Sequence, residues 1–154
     1  MINTKQKTIE EYIEIIYVLQ KKDGRAHTVR IASEMEVKPP SVTEILHKLQ
    51  GEGYIIYKTH HGAVLTHSGE KIAKKLMKKH KVIADFLEII GINRELAEID
   101  ACQIEHHVSK ETMNRLEKFV KFVNNAPHDP KWISHFEYYC KTSQRVKCEL
   151  SKDL

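Results

Sequence analysis

The chain has no apolar run approaching the roughly 20 residues that a membrane-spanning helix needs, and its opening MINTKQKTIEEY lacks the apolar stretch of a secretory signal. These absences predict a cytoplasmic protein with no membrane partner. Cysteine is scarce, with three residues at Cys102, Cys140 and Cys148. An odd number without framework spacing excludes a disulfide scaffold and fits a reducing compartment. Cys140 and Cys148 are spaced too far apart for a zinc knuckle, which His135 alone does not rescue, and they stay unassigned. There is no internal repeat, no low-complexity tract, no glycine-rich phosphate loop and no nucleophile elbow, so catalytic residues are not expected. The net charge of +4 admits an anionic partner without requiring one.

What is present is helical periodicity. With 41% hydrophobic side chains in 154 residues, the chain can bury a core as one domain or two small ones. TIEEYIEIIYVLQKK places Ile9, Ile13, Ile16 and Leu19 at helical spacing, with Thr8 as the expected N-cap and a stop at Asp23 and Gly24. VRIASEMEV and SVTEILHKLQGEGYI are short helical patterns separated by VKPPS, whose paired prolines forbid one continuous helix and pre-set the start of another. Ser41 with Glu44 has the spacing of a capping box. YIIYK and AVLT, joined by THHG, predict a two-stranded hairpin with Gly62 in the turn. From Thr66 a helical pattern continues through Ile72, Leu76, Ile83 and Leu87 to Gly91; others follow at 94–108 and 110–124, and a short aromatic helix after NNAPHDP. The fold expected is mainly α: a winged helix-turn-helix over residues 1–70, then an all-helical domain over 71–154.

A helix-turn-helix lays its second helix in the major groove, with that helix's first residues on base edges and the adjoining turn on phosphates. Here that helix starts at Pro39 to Ser41, so Pro40, Ser41, Thr43, Glu44 and His47 are candidates to face the bases. Lys38, Lys48 and the wing residues Lys58, His60 and His61 are candidates for the phosphates. Three short helices also pack in proteins that never touch DNA; the Pro-Pro turn and the hairpin weigh toward double-stranded DNA as partner.

DACQIEHHVS gathers other chemistry. If the helix runs through it, Cys102, Glu105 and His106 share one face, while Ile104, His107 and Val108 point elsewhere. A thiolate, a carboxylate and an imidazole on one patch have the character of metal ligands. The competing account is a buried cysteine beside a solvated Glu-His pair.

Taken together and in this order, TIEEYIEIIYVL, PPSVTEILHKLQGEGYI, LTHSGEKIAKKLMKKHKVIADFL and CQIEHHVS resemble the DtxR/MntR family of metal-dependent transcriptional repressors, over about residues 8–124. The resemblance implies an N-terminal winged helix-turn-helix, a helical domain that dimerises and binds metal, and DNA binding switched on by Mn²⁺ or Fe²⁺. The shortness of the chain further implies the absence of the SH3-like domain of longer members. Carried onto matching positions, it assigns metal ligands to Glu11, Glu14, His80, Cys102, Glu105 and His106. Glu98 is a candidate for a second site, alongside His80, Glu14 or Asp85; Ala84 stands where the iron branch carries its ancillary glutamate.

The site so assigned is a hybrid. The manganese branch has a glutamate where this chain has Cys102, and the iron branch has a methionine where it has Glu11. Carboxylates and imidazoles suit Mn²⁺ and Fe²⁺, whereas a thiolate shifts preference toward Fe²⁺, with Co²⁺, Ni²⁺ and Zn²⁺ as surrogates. The function implied is a homodimeric repressor of metal-uptake genes on a palindromic operator, without a small organic ligand. The rival is a winged-helix regulator that is not gated by metal, which leaves the converging ligand positions unexplained. A metalloenzyme would need a substrate cleft and a nearby base, for which the motifs offer nothing.

Overall fold

The computed structural model describes residues 4–128 and 130–146. Among the described residues, seven helices and one hairpin follow in the order α1 (Thr4–Asp23), α2 (Thr28–Glu34), α3 (Pro39–Gly51), β1 (Ile55–Lys58), β2 (Gly62–Leu65), α4 (His67–Ile89), α5 (Arg94–Ile104), α6 (Lys110–Asn124) and α7 (Lys131–Thr142). The chain divides into two compact units, Met1–His80 with Glu105–His107, and Lys81–Ile104 with Val108–Leu154.

In the first unit, Tyr12, Ile13, Ile16 and Leu19 of α1 pack with Ile31 of α2, with Val42, Leu46 and Leu49 of α3, and with Ile55 and Tyr57 of β1. The α3 residues recur at i, i+4 and i+7, which puts them on one buried stripe and leaves the opposite face exposed. The hairpin is antiparallel, with Ile55 opposite Leu65 and Lys58 opposite Gly62. Two glutamines tie it down: Gln50 Oε1 accepts the Tyr57 N–H at 2.6 Å, and Gln20 Oε1 accepts the Leu65 N–H at 2.7 Å. Gly62 has φ +83°, and a Cβ there would lie 2.8 Å from the Ala26 carbonyl oxygen, where Ala26 pairs with Ala63. Only glycine meets both conditions. Gly69 is required for a different reason, since a Cβ would collide with the Tyr54 carbonyl oxygen. Thr66 accepts the Gly69 N–H and donates to the Gly53 carbonyl, fixing the start of α4.

Val82, Ile83, Ala84, Ala101, Met113 and Val120 form the second unit's core, edged by Phe86, Leu87, Val108 and Leu116. Phe86, Phe119 and Trp132 continue as a chain of ring contacts at 5.8 and 5.9 Å. Ser109 caps α6 by accepting the Thr112 N–H at 3.2 Å.

Three local expectations are corrected. Thr8 lies inside α1, which already includes Thr4, because Lys5, Gln6 and Lys7 are good helix formers and continue the helix N-terminally. Ser41 and Glu44 form no capping box: α3 starts at Pro39, and its N-cap Lys38 makes no side-chain cap bond. Prolines at the first two helical positions bring no N–H to be capped, so the first turn starts on them and Ser41 falls inside the helix. The helical pattern of 94–108 stops at Ile104, and Glu105, His106 and His107 form a turn before the Ser109 cap.

Candidate metal centre

That turn changes how the residues of DACQIEHHVS are displayed. Cys102 lies on α5 and is exposed. Glu105 and His106, beyond the helix end, are almost wholly buried at 1% and 0% exposure. They are the buried polar side chains of the described residues, and burying a carboxylate is expensive unless something compensates its charge. His107 is exposed.

The compensation comes from α1 and α4. His106 Nδ1 lies 3.0 Å from Glu10 Oε2. On the other side of the ring, Nε2 lies 3.5 Å from Glu105 Oε1 and 3.7 Å from Glu14 Oε2. His80 Nδ1 is 3.1 Å from Glu105 Oε2, and Lys79 Nζ donates to the Glu105 carbonyl oxygen at 3.5 Å. Glu14, Glu105 and His106 each offer a ligand atom within 4.8 Å of the other two.

Electrostatics report the strain of this gathering. Burial, then the neighbouring Glu105 charge, pushes the Glu14 carboxyl up to about 7, against the opposing pull of His106 and His80. The hydrogen bond to Glu10 raises His106 above the ordinary imidazole value despite the burial that opposes it, with Glu105 and Glu14 adding to the rise. Among the described residues, His106 Nε2 is a buried side-chain nitrogen without a hydrogen-bond partner. An imidazole nitrogen beside two carboxylate oxygens is a donor set suited to Mn²⁺ or Fe²⁺, and the residues therefore fit a divalent ion.

Of the six ligand positions assigned by resemblance, the structure brings Glu14, Glu105 and His106 together and sets His80 against Glu105. Glu11 is half-buried on α1, close enough to Tyr12 for its charge to help burial raise the phenol. Neither Glu11 nor Cys102 belongs to the group of three. Glu98 pairs with Arg94, which also holds Asp85 and Glu88. Sequence reasoning missed Glu10, although its spacing of four from Glu14 was the available signal.

Of the residues expected to face DNA, Lys38, Pro40, Ser41, Glu44, His47 and Lys48 are exposed at and along α3. Thr43 is half-buried and donates back to the Pro39 carbonyl at 3.2 Å. His47 packs edge-on against Tyr57 at 5.4 Å, and Lys48 approaches Glu52 at 4.0 Å. Lys58, His60 and His61 are exposed at the hairpin end, where His60 takes a left-handed φ of 67°. Cys140 is exposed on α7, and Cys148 lies outside the described residues. Among the described residues, no helix is long and apolar enough to cross a membrane.

Two family models cover most of the chain. "Iron dependent repressor, N-terminal DNA binding domain" matches residues 6–63, and "Iron dependent repressor, metal binding and dimerisation domain" matches residues 66–134. The HTH-type transcriptional regulator MntR of Bacillus pumilus is 39% identical over 119 residues, 77% of this chain and 83% of that protein. MntR of Listeria monocytogenes is 36% identical over 130 residues, 84% and 92% of the two chains. Among solved structures, the manganese regulator SloR superposes with a TM-score of 0.63 at 32% identity, covering 74% of this chain and 54% of that one. The IdeR of T. acidophilum gives 0.64 at 30%, covering 79% and 57%. The chain thus spans little more than half the length of these two structures, while it spans most of the MntR proteins. The relatives are transcriptional regulators rather than enzymes, and the chain belongs to the DtxR/MntR family of metal-dependent transcriptional repressors.

Proposed function

We propose that this chain is switched by Mn²⁺ or Fe²⁺ and, as a homodimer, then binds a two-fold symmetric operator controlling metal-uptake genes. The observation carrying the proposal is the buried Nε2 of His106, without a hydrogen-bond partner and facing Glu105 and Glu14. A bound divalent ion would supply the positive charge that lets these groups stay together deprotonated. Glu14, Glu105 and His106 would hold it, with His80 beside them and with Glu11 and Cys102 as the further donors that the resemblance implies. The group of three contains oxygen and nitrogen but no sulfur. That composition favours the harder Mn²⁺ more than a thiolate-based reading does, and agrees with the similar SloR being a manganese regulator. Glu98, engaged by Arg94, is the weaker candidate for a second ion.

The gating follows from which segments the site joins. Glu14 belongs to the stretch matched by the DNA-binding model, and Glu105 and His106 to the stretch matched by the dimerisation model. Holding the 105–107 turn against α1 would fix how each recognition helix is carried, and a dimer needs its two recognition helices a whole number of DNA turns apart. The ion thus favours the DNA-competent arrangement and shifts the population toward it. On the duplex, Pro40, Ser41, Thr43, Glu44 and His47 would lie toward the bases, and Lys38, Lys48, Lys58, His60 and His61 toward phosphates. For the homodimer, Leu96 and Ile99, exposed one turn apart on α5, are the side chains proposed to pack between copies.

The test is fluorescence anisotropy on a duplex selected from a random pool with Mn²⁺ present. Tight binding in Mn²⁺ or Fe²⁺ and weak binding in chelator is expected, with log affinity falling by about 0.9 per phosphate contact for each unit of log salt. Equal affinity with and without metal would favour the regulator that is not gated by metal.

A further inference from the structure

We infer that Glu10 is a positioning residue for the metal centre: it holds the His106 ring by Nδ1 so that Nε2 is presented, unprotonated, to the ion. The inference rests on the metal-site reading above and adds a residue that the ligand assignment does not contain.

The argument begins with what a buried imidazole requires. A neutral ring donates through one nitrogen and accepts through the other, and an ionised carboxylate only accepts. With Glu10 Oε2 3.0 Å from Nδ1, the ring proton belongs on Nδ1 and the lone pair on Nε2. That lone pair then faces Glu105 Oε1 at 3.5 Å and Glu14 Oε2 at 3.7 Å, which makes three electron-rich atoms side by side once both carboxylates are ionised. A buried polar atom left in this way is destabilising, unless a cation is what it addresses.

Helix geometry explains how one helix serves both sides of the ring. Glu10 and Glu14 are four apart on α1 and project from the same face. One carboxylate meets Nδ1 and the other approaches Nε2, so the imidazole lies between successive turns of α1. Glu10 is outside the group of three that could share an ion, and its role passes through the ring. A carboxylate behind a ligating histidine sets the tautomer and ring orientation and makes the ligand nitrogen more basic; losing such a partner typically costs 10–100-fold in metal affinity.

The experiment measures Mn²⁺ affinity by competition with a fluorescent chelator for the full chain and for Glu10→Ala, Glu10→Gln, His106→Ala and the Glu10→Ala/His106→Ala double variant. Alanine and glutamine both favour helix, so α1 should persist, with thermal unfolding as the check. Glu10→Ala should weaken Mn²⁺ by about 10–100-fold. Glu10→Gln should recover most of the loss, because its amide oxygen still accepts from Nδ1–H. In the His106→Ala background, Glu10→Ala should cost nothing further. Long-range ¹H–¹⁵N correlation on the metal-free chain, at a pH where the ring is neutral, should show the Nδ1–H tautomer for His106 in the wild type and its loss in Glu10→Ala. Wild-type Mn²⁺ affinity in Glu10→Ala, equal losses in Gln and Ala, an additive double variant or an Nε2–H tautomer in the wild type would each overturn the inference. If His106→Ala itself leaves Mn²⁺ binding intact, the metal-site reading fails with it; a loss in His106→Ala alone fails only the role of Glu10.

Discussion

Two clusters of carboxylates in this molecule are built on opposite terms. At the α4–α5 corner, Asp85, Glu88 and Glu98 surround Arg94, whose guanidinium is raised further by its bond to Glu88 and remains charged at any ordinary pH. Arg94 and Glu88 are exposed, Asp85 and Glu98 are half-buried, and the cation is part of the chain. Around the 105–107 turn, Glu10, Glu14 and Glu105 are gathered with the imidazoles of His80 and His106, and Glu105 and His106 are buried. The first cluster is complete as it stands. The second sets its carboxylates around two ring nitrogens and buries one of them, and we read that difference as the one between a surface ion-pair network and a place suited to an ion.

Removing a donor from the buried cluster should have the largest consequence. Glu105→Ala takes away the carboxylate that approaches both imidazoles, and Mn²⁺ affinity should fall by more than the roughly 10–100-fold that an outer partner costs. Competition with a chelator measures it; near-wild-type affinity would mean that the buried cluster is not the metal site.

The next effect is on stability without metal. Glu14 has its folded value raised from 4.5 to about 7, so between those pH values the native chain holds a proton that the unfolded chain has released. Stability should therefore fall as pH rises from about 4.5 to 7, and the raised His106 extends the decline upward from its ordinary 6.5. At about 1.4 kcal/mol per pKa unit, the Glu14 contribution is on the order of 3 kcal/mol. Chemical denaturation of metal-free protein at pH 5 and pH 8 should show the loss, and Glu14→Gln should flatten it. Saturating Mn²⁺ should oppose the decline, because the ion binds the deprotonated groups. A metal-free chain equally stable at both pH values would show that Glu14 is not held under this strain.

The smallest effect belongs to the cluster around Arg94. Arg94→Ala should change stability little, in keeping with solvent-screened ion pairs, and should leave Mn²⁺ affinity unchanged. A large fall in Mn²⁺ affinity would erase the contrast between the two clusters.

How much of this could be read from residues alone depended on the kind of signal. The α3 stripe of Val42, Leu46 and Leu49, the double proline at its start and the hairpin with Gly62 were legible because period and backbone restriction are local. The end of α5 was not, since QIEHHVS contains neither glycine nor proline and its stop is set by the Ser109 cap of the following helix. For that reason periodicity alone joins Cys102 to Glu105 and His106 on a single helical face. Glu10 was hidden differently: its spacing of four from Glu14 shows a shared face, but its partner His106 lies 96 residues away, and nothing along α1 announces a contact of that range. Resemblance assigned the neighbouring Glu11, whereas the structure puts Glu10 on the ring.

The central claim, that the buried cluster couples an ion to DNA binding, is tested most directly by measuring Mn²⁺ affinity in the absence and presence of saturating operator duplex. Linkage requires DNA to tighten Mn²⁺ by the same factor by which Mn²⁺ tightens DNA. The account predicts matching factors well above one in the wild type. Equal Mn²⁺ affinity with and without the duplex would contradict it.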